Sequence, residues 1–273
     1  MGMRYGWLAA LLLCVPLLSE AAELKRRQVR TQAQAAEARQ NFNAMVLQGI
    51  REFPGGGGYA AGPADVARVA TNAVVWDEAR GGLVISPQKA APTFCSAAVY
   101  MVLLRSLQRW EGQSGHRLPA KAWKTLDVRP DQPDGTGAWG RANANGPGLA
   151  RLVAQLGAGV NFRDIRQAQP GDFLKIFWTP DIGAKERGHL VVYLGLEKKN
   201  GTACLRYWSA NKPGGYGVKS APLSRMHNLI FTRITAPQNF ARATALPEHD
   251  AWLESMQTHS HSFDSVRKAC QIR

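Results

Sequence analysis

Two segments 94 residues apart carry residue types able to do nucleophilic chemistry: Pro92-Thr93-Phe94-Cys95-Ser96-Ala97-Ala98 and Gly188-His189-Leu190-Val191-Val192-Tyr193-Leu194-Gly195. The first puts a cysteine where a turn becomes an apolar helix. The second puts a histidine at the head of an apolar strand. A thiol is a strong nucleophile near neutral pH only when its thiolate is stabilised, and a helix N-terminus and a neighbouring imidazole both do that. Cys95 is then the nucleophile and His189 the base that pairs with it and protonates the leaving amine. The backbone N–H of Cys95 is a natural oxyanion donor.

A third group must orient the imidazole. Lys199-Asn200-Gly201 reads as a hairpin loop between two strands. If that loop has three residues, Lys198 pairs with Thr202, and the same register sets His189 opposite Asn211. A two-residue loop would turn Asn211 to the other face. Asn211 is therefore the expected orienting residue, with Ser209 the poorer alternative. His116, His227, His249, His259 and His261 are further candidates for the base, the last two in a polar tail. No Cys/His spacing fits a structural zinc site, and Gly55 to Gly58 lacks the Lys-Ser/Thr of a phosphate loop, so no metal or cofactor is expected.

Phe94-Cys95-Ser96, then Pro170-Gly171-Asp172-Phe173, then Gly188-His189-Leu190-Val191-Val192-Tyr193-Leu194-Gly195 together resemble the NlpC-type and CHAP-type cell-wall cysteine amidases of the papain-like superfamily. Members commonly read Asp-Cys-Ser-Gly, Pro-Gly-Asp and His-Val-Gly-Ile-Tyr-Leu-Gly. The resemblance covers about residues 90 to 212. It implies an α+β, papain-like fold, with an antiparallel sheet packed against the helix that carries the cysteine. It also implies cleavage of amide bonds in peptidoglycan peptides. Cys95 and His189 fall on matching positions. Phe94 stands where aspartate is frequent, and the third residue is Asn211 or Ser209.

The rest of the chain must position these groups. Residues 1–21 read as a secretory signal: Arg4, an apolar run from Leu8 to Leu18, and a small-x-small cut after Ala21. The run is short for a membrane anchor, and Cys14 lacks the small residue before it that lipoproteins carry. The product would be periplasmic or secreted. Residues 22–89 form an N-terminal region, helical over 24 to 53, joined by the flexible Pro54-Gly55-Gly56-Gly57-Gly58 connector to a second helix over 64 to 76. Residues 90–235 are the catalytic domain and 236–273 a polar tail with one helix near Ala251 to Gln257.

Residues 127 to 148 read as a long loop, in which Trp139 either stacks on a sugar, shields the thiol or fills the core. Strands are expected over Phe173–Trp178, His189–Leu194, Ala203–Ala210 and Leu229–Ile234. Export leaves Cys95, Cys204 and Cys270 in the mature chain. Cys204 and Cys270 either form a disulfide or are small buried apolar residues.

The formal net charge is +14, and losing Arg4 with Glu20 leaves it unchanged. Such a field attracts anionic partners, peptidoglycan or another anionic wall polymer among them. Rival readings are a non-catalytic module that holds a polyanion, and an acyltransferase or esterase on the same site.

Overall fold

The computed structural model describes residues 41–273, and Phe42–Arg273 form one compact unit. The segment read as a secretory signal, with Cys14 in it, and most of the first expected helix lie outside the described residues. The boundaries expected at 89/90 and 235/236 do not separate units. The residues on either side pack into the same body.

The fold is mixed α and β. Its centre is a seven-stranded sheet, antiparallel throughout. The strands are β1 (Gly56–Gly57), β4 (Gly159–Phe162), β5 (Phe173–Phe177), β6 (Gly188–Lys199), β7 (Thr202–Asn211), β8 (Gly215–Pro222) and β9 (Asn228–Ile234), in the order β1-β8-β7-β6-β5-β9-β4. A separate hairpin pairs β2 (Val74–Asp77) with β3 (Gly82–Ile85).

The central strands are apolar on both faces, as strands covered on both sides must be. Phe173, Leu190, Val192, Trp208 and Ala210 face the core that contains the cysteine helix, Cys95–Ser114. Leu174, Ile176, Val191, Tyr193 and Tyr207 face the second core on the other side. This is why the Leu190-to-Leu194 run shows no alternation in sequence. The cysteine helix packs on β6, β7 and the helix Phe42–Ile50. It buries Val99, Tyr100, Met101, Val102, Leu103, Leu104 and Leu107, and stops at Gly115, whose φ of +75° is the left-handed conformation that ends helices.

Several local expectations change. Gly56–Gly57 is the edge strand β1, not a flexible connector: Gly56 pairs with Tyr216 and Gly57 with Gly215. Gly56, Gly57 and Gly58 have φ of +76°, +90° and +77°, and a Cβ on Gly215 would lie 2.2 Å from Gly56 O. Glycine is needed here for conformation and closeness rather than flexibility. The helix over 64 to 76 ends early, at Arg68, runs on as a π-turn over Val69–Ala73 and becomes β2. The 127–148 loop contains a helix, Gly137–Asn143. Trp139 in that helix is fully buried, its ring 5.3 Å from Tyr100 and 6.3 Å from Phe94, so it fills the core.

The C-terminal stretch is not a free tail. Leu253, Met256, Val266, Cys270 and Ile272 build a core with Phe177 and Ile230, and a second short helix, Phe263–Ala269, follows Ala251–Ser255. Cys204 and Cys270 are both buried free thiols, so the disulfide is not formed. Cys270 packs into the C-terminal apolar core, as a small hydrophobic residue does.

Candidate active site

Cys95 opens its helix. The residue before it, Phe94, is extended (φ −127°, ψ 167°) and offers no side-chain cap, so the first N–H groups of the helix stay uncapped beside the sulfur. Phe94 packs on Trp139, which accounts for an aromatic residue at this position.

His189 and Asn211 meet as expected: His189 Nε2 lies 3.1 Å from Asn211 Oδ1. The amide orientation is fixed by its other bonds, since Asn211 Nδ2 donates to Ser209 O and to Gly217 O, each at 2.9 Å. The oxygen must therefore face the ring, so Nε2 carries the hydrogen and Nδ1 is left for the sulfur. Asn211 is buried and His189 half-buried. Tyr207, on the same face of β7, holds the imidazole edge-on at 5.6 Å. Ser209 is buried, and its hydroxyl donates to Leu190 O at 2.8 Å, so it does not orient the ring.

The route to this pairing differs from expectation. The hairpin loop has two residues: Lys199 pairs with Thr202 and Lys198 with Ala203. Asn200 (φ +48°) and Gly201 (φ +79°) are both left-handed, as the tight Asn-Gly turn requires. Taken alone, that register would send Asn211 to the wrong face. A bulge at Leu194–Gly195 restores it: beyond it Tyr193 pairs with Tyr207 and Val192 with Trp208, a shift of one residue. Continued to the strand end, the shifted register sets His189 against Asn211. Gly195, at φ +132°, supplies the conformation the bulge needs.

Burial alone would raise the Cys95 thiol. The hydrogen bond and charge of His189 outweigh it, helped by the Leu190 N–H and the Lys175 ammonium, and bring it down to about 6. Tyr59 Oη lies 3.9 Å from Cys95 Sγ, and burial followed by the nearby sulfur pushes the phenol up, so Tyr59 is a neutral donor facing the thiolate. Sequence reasoning missed Tyr59 because nothing local marks it. It reaches the site through the β1–β8 pairing and a bridge from Tyr59 to Thr93.

In front of the sulfur lies a cleft of about 300 Å³, with Tyr59, Cys95, Ser96, Asp134, Lys175 and Glu186 among its lining. Lys175 on β5 bonds Glu186 at 2.6 Å, and Glu186 also accepts from the N–H of Gly146 (2.6 Å) and Gly183 (3.0 Å). One carboxylate thus ties two loops to the cleft and holds a cation near the thiol. A Cβ on Gly188 would lie 2.7 Å from Lys175 Nζ, which explains the glycine before His189. Asp134 accepts from Asn145 N–H at 3.0 Å, and burial shifts its carboxyl upward.

Asp172 of Pro170-Gly171-Asp172 has a different task. It is fully buried and receives two bonds from Arg233 (2.8 and 2.7 Å), one from Asn43 (2.7 Å) and one from Gln169 N–H (2.7 Å). That turn fixes the entry to β5 and the first described helix, not the chemistry. The other candidate histidines are engaged elsewhere: His116 stacks on Trp110, His227 meets Asn228, His249 meets Glu254, His259 meets Thr258 and His261 meets Ser255. Among the described residues no group of three or more His, Cys, Asp or Glu could hold a metal ion, and no helix is long and apolar enough to cross a membrane.

Compared with known proteins, the chain matches no family model, no curated protein and no solved structure. The resemblance to the cell-wall amidases stands on the quoted motifs, and the site on its own geometry.

Proposed function

We propose that the protein is an exported, papain-like cysteine amidase or endopeptidase, active in the periplasm or outside the cell, that hydrolyses amide bonds of peptidoglycan peptides. The observation that carries the chemistry is the Cys95–His189–Asn211 line: a thiol held at about 6 at a helix start, beside an imidazole whose far nitrogen is pinned by an amide at 3.1 Å. The substrate class rests on the motif resemblance, and the positive charge suits an anionic wall.

The Cys95 thiolate attacks the amide carbonyl carbon, and the C=O π pair moves onto oxygen. The uncapped helix N–H groups and the Tyr59 hydroxyl stabilise that oxyanion. His189 Nδ1–H gives its proton to the leaving nitrogen as the C–N bond breaks, leaving a thioester. Water then attacks the thioester, passing its proton to Nδ1. The C–S bond breaks, releasing the carboxylic acid and restoring the thiolate.

The test is digestion of purified peptidoglycan with the mature protein, with mass spectrometry of the released fragments. Wild type should release fragments with new amine and carboxylate ends, and Cys95→Ala should release none while keeping its melting temperature. Wild-type turnover in Cys95→Ala, or no release by either protein, refutes the proposal.

A further inference from the structure

The β2–β3 hairpin and the far end of the cysteine helix enclose a second groove of about 650 Å³. It opens around Arg105, ten residues and about 15 Å of helix axis from Cys95. Three arginines line it: Arg80 from the hairpin turn, Arg105 from the helix and Arg117 from the segment after it.

Their charge is poorly matched. Among the described residues neither Arg105 nor Arg117 has an ion pair, and Arg105 Nε is buried with no acceptor. Arg80 is 75% exposed and reaches Asp77 only at 3.4 Å. The carboxylate in the walls, Glu111, is buried and already accepts from the Leu118 N–H and from Trp123 Nε1. By contrast, neighbouring cations have partners: Arg109 bonds Glu52, and Lys124 bonds Glu78. A half-buried guanidinium without a counter-charge costs free energy, and a bound anion returns it.

We propose that this groove is a second binding site, for the phosphate or carboxylate groups of an anionic polymer, with Arg105 and Arg117 as the principal contacts and Arg80 at the rim. Guanidinium forks suit both oxyanions. The site is separate from the thiol and does not depend on catalysis at Cys95.

The test is fluorescence anisotropy with labelled polyphosphate and labelled poly-glutamate, using wild type and the Arg105→Gln/Arg117→Gln double variant. The double variant should bind at least about tenfold more weakly. Lys198→Gln/Lys199→Gln removes the same charge at the β6–β7 hairpin tip and should change affinity less than about threefold. Arg117→Gln alone, at an exposed residue, should already weaken binding, which separates the effect from misfolding. Melting temperature and Cys95 alkylation rate should stay as in wild type. Saturable binding of either polymer with this pattern supports the site and identifies its oxyanion. Equal losses in both double variants reduce the effect to the overall field, and no saturable binding overturns the proposal outright.

Discussion

If His189 holds the Cys95 sulfur as thiolate, alkylation at that sulfur must titrate near pH 6 rather than near the ordinary 9.0. At pH 7 a thiol with its midpoint at about 6 is roughly nine-tenths ionised, against about one part in a hundred at 9.0. A thiolate of lower basicity is also a weaker nucleophile, by about 20-fold over such a shift. The two effects nearly cancel at pH 7, leaving a net advantage of only about fourfold. At pH 5 the ionised fractions differ by roughly 900-fold, and the net advantage grows to about 40-fold. The informative quantity is therefore the acid limb of the rate profile.

The assay is the rate of iodoacetamide labelling at Cys95 across the pH range, read by peptide mass. Cys204 and Cys270 serve as buried references, and burial pushes Cys270 up to about 12. In His189→Ala the burial effect loses its main opponent, so the midpoint should rise to or above 9.0. Lys175→Met should raise it by less, because the ammonium is the smallest of the causes that lower it. A wild-type midpoint near 9, or one that His189→Ala leaves in place, refutes the ion pair. Faster labelling of Cys204 or Cys270 than of Cys95 refutes the choice of nucleophile.

Other substitutions test the orienting residue, the bulge and the Pro170-Gly171-Asp172 turn. Asn211→Ala should cut turnover about tenfold, the worth of one hydrogen bond, and His189→Ala by at least about a hundredfold. Ser209→Ala should leave turnover near wild type and cost about 1 kcal/mol in urea unfolding, so equal turnover losses at 209 and 211 would reassign the orienting role. Gly195→Val should cost about 1–3 kcal/mol of stability from backbone strain alone, because nothing lies within 4 Å of an added Cβ there. Deleting Gly195 removes the bulge and its extra residue together, so Tyr193 still pairs with Tyr207 and His189 still falls against Asn211; turnover should persist, and its loss in a folded deletion variant would refute the register reasoning. Asp172→Ala leaves the Arg233 guanidinium without its carboxylate partner and should cost about 3–5 kcal/mol on urea unfolding. Lost turnover with unchanged stability would instead make Asp172 part of the chemistry.

What the sequence made legible follows from the range of the physics involved. Cys95 at a helix start, the Pro170-Gly171-Asp172 turn and the Gly188-His189 strand head are local patterns, and each stands where expected. Pairings between distant segments were not legible. The Gly56–Gly57 edge strand depends on a partner at Tyr216 and Gly215, far along the chain, and a glycine run by itself reads as a connector. Tyr59 arrives at the sulfur only through that pairing. The C-terminal helices looked polar because each contributes only a few apolar residues, Leu253, Met256 and Val266, to a core shared with β5 and β9.

The His189–Asn211 pair shows how a correct juxtaposition can rest on a wrong register. The sequence suggested a three-residue loop, and the hairpin instead uses the two-residue Asn200-Gly201 turn that its residues favour. That choice alone displaces every later pair by one and points Asn211 away from the imidazole. The displacement is removed inside β6, where Gly195 takes a φ of +132° and an extra residue enters the strand. An interior glycine in a strand is the recognised mark of a bulge, and Gly195 is the last residue of the very motif that contains His189. Turn and bulge are therefore one device in two parts. The tight turn joins two long strands, and the bulge returns the register at their far end to the one in which a buried amide can hold the His189 imidazole.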